Sequence, residues 1–248
     1  MRTRLGYKSF PYLHRLSGNE RQLLFCFHHA GGSASAFFRN IGKAADIAVI
    51  PTELPAHGSR MEEEPLCDWD RLISHLCGEI SELSEQLRKP FSLIGCSLGS
   101  LIAFECALRL EKMGTPAERA IICSHSSPDV VSPGYKTSMG RERLIDEVKL
   151  LSGTDSALFE NKDVLDFYLD VIYGDYLLHD SYVYSGAMLK STDLYVFCGR
   201  SDPYFNRDNM KNWQKMTSAH SSYTEFDGGH FFLYEGDNFR KVLDKSRR

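Results

Sequence analysis

The sequence has no excess of basic residues and no long hydrophobic run. Its 248 residues contain 29 Lys and Arg against 33 Asp and Glu, which gives a formal net charge of −4. Because no basic excess is available to meet phosphates, a nucleic-acid-binding protein is not expected. The longest apolar runs have the length of a β-strand, so we expect no membrane-spanning segment. Residues 1–16 lack the apolar stretch and the small-residue cleavage site of a secretory signal.

The sequence also lacks a disulfide framework, a metal-binding spacing, internal repeats and low-complexity segments. Its seven cysteines are odd in number. Most of them lie in apolar segments, namely Cys26, Cys96, Cys106, Cys123 and Cys198. We therefore expect reduced, mostly buried thiols in a cytosolic protein.

What the sequence does contain is a strand-to-helix segment at residues 91–110, on which the rest of the chain can be arranged. Phe91 to Gly95 follow Pro90 as a short apolar run, which predicts a buried strand. Leu98 to Leu110 are apolar nearly all round, as in a helix buried against a sheet. Gly95-Cys96-Ser97-Leu98-Gly99, between them, matches G-x-S-x-G, although this pattern alone arises by chance in about one such chain in ten.

In this context the pattern has the geometry of a nucleophile elbow. A sharp turn from strand to helix would hold Ser97 in a strained, exposed position above the sheet. Gly95 and Gly99 would then be glycine for steric reasons, since the turn brings two backbones together. The N–H of Leu98, at the helix N-terminus, would point toward an oxyanion beside Ser97.

Strands and helices alternate along most of the chain, which predicts a mostly parallel sheet with helices on both faces. A helix capped by Asp68 precedes the elbow strand, and an edge strand at 7–13 and a helix at 35–45 are also expected. The other predicted strands are Leu23–Phe27, Ile47–Leu54, Arg119–Ser124, Leu194–Cys198 and Ser222–Phe226, with late helices at Asn206–Met216 and Asn238–Lys245.

The alternation breaks at residues 129–189, where no buried strand is evident. Arg141 to Leu151 and Asp163 to Leu178 have helical patterns instead. We interpret this stretch as a helical lid inserted into a single α/β domain that spans residues 1–248.

Two residues much later in the chain would complete a catalytic triad with Ser97. Asp202 and His230 each follow a predicted strand, in the order Ser, acid, His that α/β-hydrolases use. The carboxyl ends of parallel strands lie along one edge, so the three can meet there. His230 would act as the base and Asp202 would orient it. The N–H of Ala30, in the glycine-rich turn HHAGGS, is the expected second oxyanion donor.

Plainer interpretations of these residues remain open. Asp202 stands before Pro203 and also fits a simple turn. Asp175 and Asp180 are rival acids, although they lie in the predicted lid. The remaining candidate histidines do not complete the chain order and are interpreted as structural; they are His28, His29, His57, His125 and His179.

From about Leu23 to Glu235, the chain resembles the type II thioesterases of non-ribosomal peptide and polyketide assembly lines, which have the α/β-hydrolase fold. The resemblance implies Ser97 as nucleophile, Asp202 as acid and His230 as base, with Ala30 and Leu98 as oxyanion donors. Its motifs are FHHAGGSASAF, ELPAHGSR, GCSLGSLIAFECALRL, LIDEVKLLSGTD, GRSDP and GGHFFL.

The chain departs from the family pattern at three sites. The family usually has Pro at the position of His28, Gly at the position of Ala56, and Arg-Ala-Asp at Tyr173-Gly174-Asp175. These positions lie in the loop before the oxyanion turn, in a rim loop and in the predicted lid. They bear on substrate choice more than on the chemistry.

The resemblance implies a stand-alone, cytosolic enzyme that frees acyl groups from the phosphopantetheine thiol of carrier domains through an acyl-Ser97 intermediate, and we expect a monomer. It implies no metal and no bound cofactor, because the pantetheine arm belongs to the substrate. Lys136, Arg141 and Arg143 form a candidate basic docking cluster for an acidic carrier helix. A general carboxylesterase, an acyltransferase and a non-catalytic synthase partner are the competing hypotheses.

Overall fold

The computed structural model has at its centre a six-stranded parallel sheet of order β2-β1-β3-β4-β5-β6. The strands are β1 (Gln22–Phe27), β2 (Ile47–Pro51), β3 (Phe91–Cys96), β4 (Arg119–Cys123), β5 (Asp193–Gly199) and β6 (Ser221–Phe226). The structure describes residues 7–40, 46–131, 134, 136–151, 160–204 and 206–247. The predicted parallel sheet is thus confirmed.

The strand order reverses between β1 and β3, because the chain runs outward from β1 to β2 and then returns to β3. The carboxyl ends on either side of this reversal are level with one another. Phe27 pairs with Gly95, and Cys96 pairs with Cys123 of the next strand. In parallel sheets a crevice for ligands opens at such a point, just beyond the strand ends.

Helices cover both faces of the sheet, which is why β1 to β5 are mostly apolar and buried, whereas the edge strand β6 is more polar and only partly buried. Alternate residues of each strand enter different cores, as Leu23 and Leu24 illustrate. The first core packs against α1 (Trp69–Leu87) and α2 (Leu98–Lys112), and the second packs against α6 (Asn238–Lys245).

The long predicted helix before the elbow is confirmed as α1. Asp68 caps it by accepting a hydrogen bond from the backbone N–H of Arg71 at 3.0 Å. Its apolar face is buried along the sheet through Leu72, Ile73, Leu76, Ile80 and Leu83.

The stretch from 129 to 189, here called the insert, joins β4 to β5. It contains α3 (Gly140–Leu150) and α4 (Lys162–Asp180), close to the two helices predicted there. These helices share a small apolar core of their own, made of Leu144, Val148, Leu169, Ile172 and Tyr176. The end of the LIDEVKLLSGTD motif lies outside the described residues.

Several sequence predictions need correction. No strand forms at 7–13, where a turn leads to a 3₁₀ helix at Leu13–Arg15. Pro11 has no N–H to donate to a sheet ladder, and Phe10 instead packs on Phe25 with ring centroids 5.1 Å apart.

Three predicted elements are shorter or tighter than expected. β2 stops at Pro51. The helix expected at 35–45 is a 3₁₀ helix over Ala34–Asn40, and residues 41–45 lie outside the described part of the chain. The helix expected at 206–216 splits into α5 (Arg207–Asn212) and a 3₁₀ turn at Trp213–Met216. Within the described ranges, no helix is both long enough and apolar enough to cross a bilayer.

Candidate active site

Ser97 lies at the sharp turn between β3 and α2, as the sequence predicts. Its φ is 54°, a left-handed conformation that is costly for a residue with a β-carbon. A β-carbon on Gly95 would lie 1.9 Å from the carbonyl oxygen of Gly99, and one on Gly99 would lie 2.2 Å from that of Phe27. Both positions therefore exclude any larger residue, and the turn can only close with glycine at each.

Two backbone segments adjoin Ser97 at positions suited to binding an oxyanion. Leu98 is the first residue of α2, and the N–H groups of a first helical turn have no acceptor within the helix. Ala30 lies in the turn after β1, and it lines the same cavity as Ser97 and Leu98. The structure thus brings together the residues from which the sequence predicts an oxyanion hole.

His230 and Asp202 form a buried pair beside the same cavity. The Nδ1 of His230 lies 2.8 Å from Oδ2 of Asp202, and Oδ1 of Asp202 accepts the N–H of Tyr204 at 2.9 Å. His230 lies in the loop after β6, and Asp202 lies in the loop after β5. The two backbones are so close that a β-carbon on Gly199 would lie 2.2 Å from the carbonyl oxygen of Gly229. With Nδ1 donating to the carboxylate, Nε2 of His230 is left to exchange protons.

The rival acids do not contact His230 through any hydrogen bond found in the described part of the chain. Asp175 accepts from Gly31 at 2.6 Å and lies 3.0 Å from Nε2 of His57. Asp180 accepts from the backbone and hydroxyl of Thr137 at 2.6 and 2.8 Å. Both carboxylates thus have other partners, and Asp202 is the one placed to orient His230.

A cavity of about 310 Å³ extends from Ser97 and His230 under the insert. Its apolar wall includes Val130, Val131, Val148, Leu151, Ile172, Met210 and Phe231. Its polar wall includes Lys136, Glu147, Tyr176, His125 and His179. Such a mixed lining suits an acyl chain that also carries polar groups.

Lys136 lies in this wall instead of on an exposed docking surface. Its side chain is only 16% exposed and forms an ion pair with Glu147, whose side chain is 4% exposed. Its Nζ lies 4.3 Å from the centre of the Tyr204 ring. The predicted basic cluster is therefore not one surface, because Lys136 faces inward while Arg143 is exposed; the side chain of Arg141 lies outside the description.

The polar wall was missed from the sequence because no motif marks it. Tyr176 donates to Oε1 of Glu147 at 3.0 Å, and burial together with that carboxylate raises the pKa of Tyr176. Oε2 of Glu147 is buried and has no hydrogen-bond partner among the described residues. The only signal in the sequence is the helical spacing of these residues. That spacing does not tell which face of α3 or α4 meets the cavity.

Burial lowers the pKa of two histidines that line the cavity, His125 and His29. Burial, and then the proximity of the His179 ring, lowers the pKa of His125 to about 3. Burial, and then the proximity of the His230 ring, lowers the pKa of His29 to about 3. Across the described ranges, no group of three or more His, Cys, Asp or Glu side chains is arranged to hold a metal ion.

Comparison with known proteins identifies the family. The thioesterase domain model matches residues 22–248. Gramicidin S biosynthesis protein GrsT of Aneurinibacillus migulanus is 27% identical over 217 residues, which are 86% of this chain and 83% of that protein.

Two solved structures share the architecture. The type II thioesterase BorB, from the borrelidin biosynthetic cluster, is 28% identical with a TM-score of 0.78 and covers 90% of this chain and 91% of its own. YbtT, a type II thioesterase from the yersiniabactin pathway, is 25% identical with a TM-score of 0.79 and covers 92% and 94%. This chain therefore belongs to the thioesterase family, and it is a serine thioesterase with an α/β-hydrolase fold, of the type II kind found in non-ribosomal peptide and polyketide pathways.

Proposed function

We propose that this thioesterase hydrolyses acyl groups from the phosphopantetheine thiol of carrier domains, clearing stalled or wrongly primed carriers or releasing an intermediate. The observation that carries the proposal is the buried His230–Asp202 pair, with Nδ1 and Oδ2 2.8 Å apart, where His230 and the strained Ser97 line one acyl-sized cavity. The relatives described above come from the gramicidin S, borrelidin and yersiniabactin biosynthetic pathways.

In the proposed mechanism the Ser97 hydroxyl attacks the thioester carbonyl while Nε2 of His230 takes its proton. Asp202 keeps the proton on Nδ1 and stabilises the imidazolium that forms. The N–H groups of Leu98 and Ala30 donate to the oxyanion. Collapse breaks the C–S bond, and His230 returns its proton to the departing thiol. Water, deprotonated by His230, then attacks acyl-Ser97 and releases the free acid and the serine.

We further propose that residues 1–248 form one domain, in which the insert acts as a lid over the cavity. The role of the insert as a lid is supported by the small apolar core that α3 and α4 share. A monomer in the cytosol is also proposed. All seven cysteines are free, and six of them are buried, which agrees with a reducing compartment.

The experiment is a comparison of two substrates that share one acyl group. One is the acyl thioester on a carrier domain, and the other is the p-nitrophenyl ester. We expect free acid and free carrier thiol, with a kcat/KM at least tenfold higher for the carrier thioester. A higher kcat/KM for the oxygen ester would favour a general carboxylesterase.

The products of the same reactions distinguish hydrolysis from acyl transfer. With added amine or alcohol acceptors, mass spectrometry should still find the free acid; an acylated acceptor as main product would indicate an acyltransferase. If a fluorophosphonate fails to label Ser97, the remaining hypothesis is a non-catalytic partner of a synthase.

A further inference from the structure

The insert helix α4 holds the turn that carries Ala30 at two points. At the first point the contact is with Gly31, the residue after Ala30. Ile172 packs on it so closely that a β-carbon on Gly31 would lie 2.4 Å from Cγ1 of Ile172. One turn further along α4, Oδ2 of Asp175 accepts the N–H of Gly31 at 2.6 Å. Gly31 has a φ of 71°, so glycine is favoured there for its backbone as well as for space.

The same carboxylate oxygen holds a third segment, the loop after β2. Nε2 of His57 lies 3.0 Å from Oδ2 of Asp175, and Nδ1 of His57 lies 2.8 Å from the carbonyl oxygen of Pro55. Both ring nitrogens therefore face acceptors. A neutral imidazole has only one N–H, so the ring satisfies both contacts only as the imidazolium.

The groups around His57 favour this cation. Burial alone would lower the pKa of His57, but the Asp175 charge and hydrogen bond outweigh it, with a further contribution from Glu53, and the net pKa is raised. The ring of His28 lies 4.8 Å from that of His57, and burial together with the charge of His57 lowers its pKa to about 3.

Two further titratable side chains lie near this pair, Glu53 beside His57 and Cys67 beside Asp175. Glu53 accepts from the backbone N–H groups of Ala34 and Ser59 at 2.9 and 3.1 Å. Near Asp175, burial and then the carboxylate raise the pKa of Cys67, so that side chain remains a thiol. One buried cation, His57, thus faces the Asp175 carboxylate.

We propose that Asp175 and His57 are positioning residues that make the Ala30 oxyanion donor depend on α4 being seated over the site. With α4 in place, the Gly31 N–H is hydrogen-bonded, and the peptide that follows Ala30 is held by the His57–Asp175 ion pair. With α4 displaced, the turn loses both contacts and the donor loses its alignment. Hydrolysis is then confined to the closed enzyme. This inference rests on the proposed function, because it takes Ala30 as an oxyanion donor.

The first test compares Asp175→Ala and Asp175→Asn with Asp180→Asn, a control on the same helix whose carboxylate binds Thr137 and does not contact the turn. The probe is a trifluoromethyl ketone analogue of the acyl substrate, which forms an oxyanion on Ser97. For Asp175→Ala, kcat and the affinity for the ketone should each fall about 10²-fold, as when an oxyanion donor is lost. KM should change less than about threefold, and Asp175→Asn should lie between Asp175→Ala and the wild type.

The second test is the pH dependence of kcat. The pKa of His57 is raised in the folded enzyme, so the ion pair is present at low pH and is lost as pH rises through that pKa. Wild-type kcat should therefore decline on the alkaline side. His57→Gln should lower kcat and remove this decline, whereas an unaltered alkaline limb in His57→Gln would overturn the proposal.

The third test does not depend on activity. The Gly31 amide should exchange slowly with solvent in the wild type and at least tenfold faster in Asp175→Ala and Asp175→Asn, but not in Asp180→Asn. If Gly31 is protected but no carrier thioester is hydrolysed, the proposed function fails and the coupling stands. Unchanged Gly31 exchange and ketone affinity in both Asp175 variants would overturn the coupling itself.

Discussion

The backbone N–H of Ser97 donates to the carbonyl oxygen of Cys123 at 2.8 Å, so the elbow is hydrogen-bonded to β4. This bond continues the pairing of β3 with β4 by one residue, just where the φ of Ser97 becomes positive. Backbone contacts therefore hold the strained turn, and the Ser97 hydroxyl is not needed for it.

Ser97→Ala should consequently keep its fold and lose its activity. We expect the free energy of unfolding to change by less than about 0.5 kcal/mol. Turnover should fall by about 10⁴-fold or more, as when a triad residue is lost. Chemical denaturation and a carrier-thioester assay measure the two effects. Residual turnover of a few per cent would show that Ser97 is not the nucleophile.

Asp202→Asn should reduce turnover by about 10⁴-fold, because the amide can donate to Nδ1 of His230 and would favour the wrong tautomer. Asp175→Asn, which keeps the His230–Asp202 pair intact, should cost far less. Steady-state kinetics of both variants checks the ranking. The reverse order would place the catalytic acid in the insert.

The Lys136–Glu147 ion pair should matter for stability as a pair. Lys136→Met or Glu147→Gln alone leaves one charge in the cavity wall and should lower the free energy of unfolding by about 3 kcal/mol. The double variant should lose clearly less than the sum. The exposed pair Arg240–Asp237 serves as the control, with side chains 70% and 69% exposed and a coupling expected near zero. Additive losses at Lys136 and Glu147 would contradict the prediction.

Amides of the insert should exchange with solvent faster than those of α2. The insert is held by a small core, whereas α2 is buried along most of its length. Hydrogen-exchange mass spectrometry should find slower exchange in α3 and α4 once an acyl-phosphopantetheine analogue binds. Equal protection of α2 and the insert without ligand would argue against a mobile lid.

Ala56→Gly should stabilise the protein. Ala56 has a φ of 67°, a conformation that costs alanine about 1 kcal/mol relative to glycine. We expect the free energy of unfolding to rise by about that amount. Ala103→Gly, in the interior of α2, is the control and should lower it by about 1 kcal/mol or more. Equal losses in the two variants would show that the Ala56 methyl group, which is buried, matters more than its backbone.

The elbow and the order of Ser97, Asp202 and His230 could be predicted from sequence because their spacing follows from steric and topological rules. Glycine is required at position 95 by the nearby backbone of Gly99, and at position 99 by the backbone of Phe27 at the end of β1. The role of Lys136 could not be predicted, because its ion pair depends on how α3 packs over the cavity. The partners of Asp175 were hidden for the same reason, since they are 144 and 118 residues away along the chain.

Because the insert has an apolar core separate from the two cores that cover the sheet, the wall of the acyl cavity can vary without disturbing the strands that carry the triad. Substitutions at Val148 or Tyr176 alter the room and polarity offered to the acyl chain while leaving β3, β5 and β6 untouched. Residues 140–176 are thus a natural cassette for changing substrate range, by evolution or by grafting from a relative, whereas Leu178, Tyr182 and Leu189 of the insert belong to the first core and have to stay with the sheet. Any graft must retain Ile172 and Asp175, where the cassette meets Gly31.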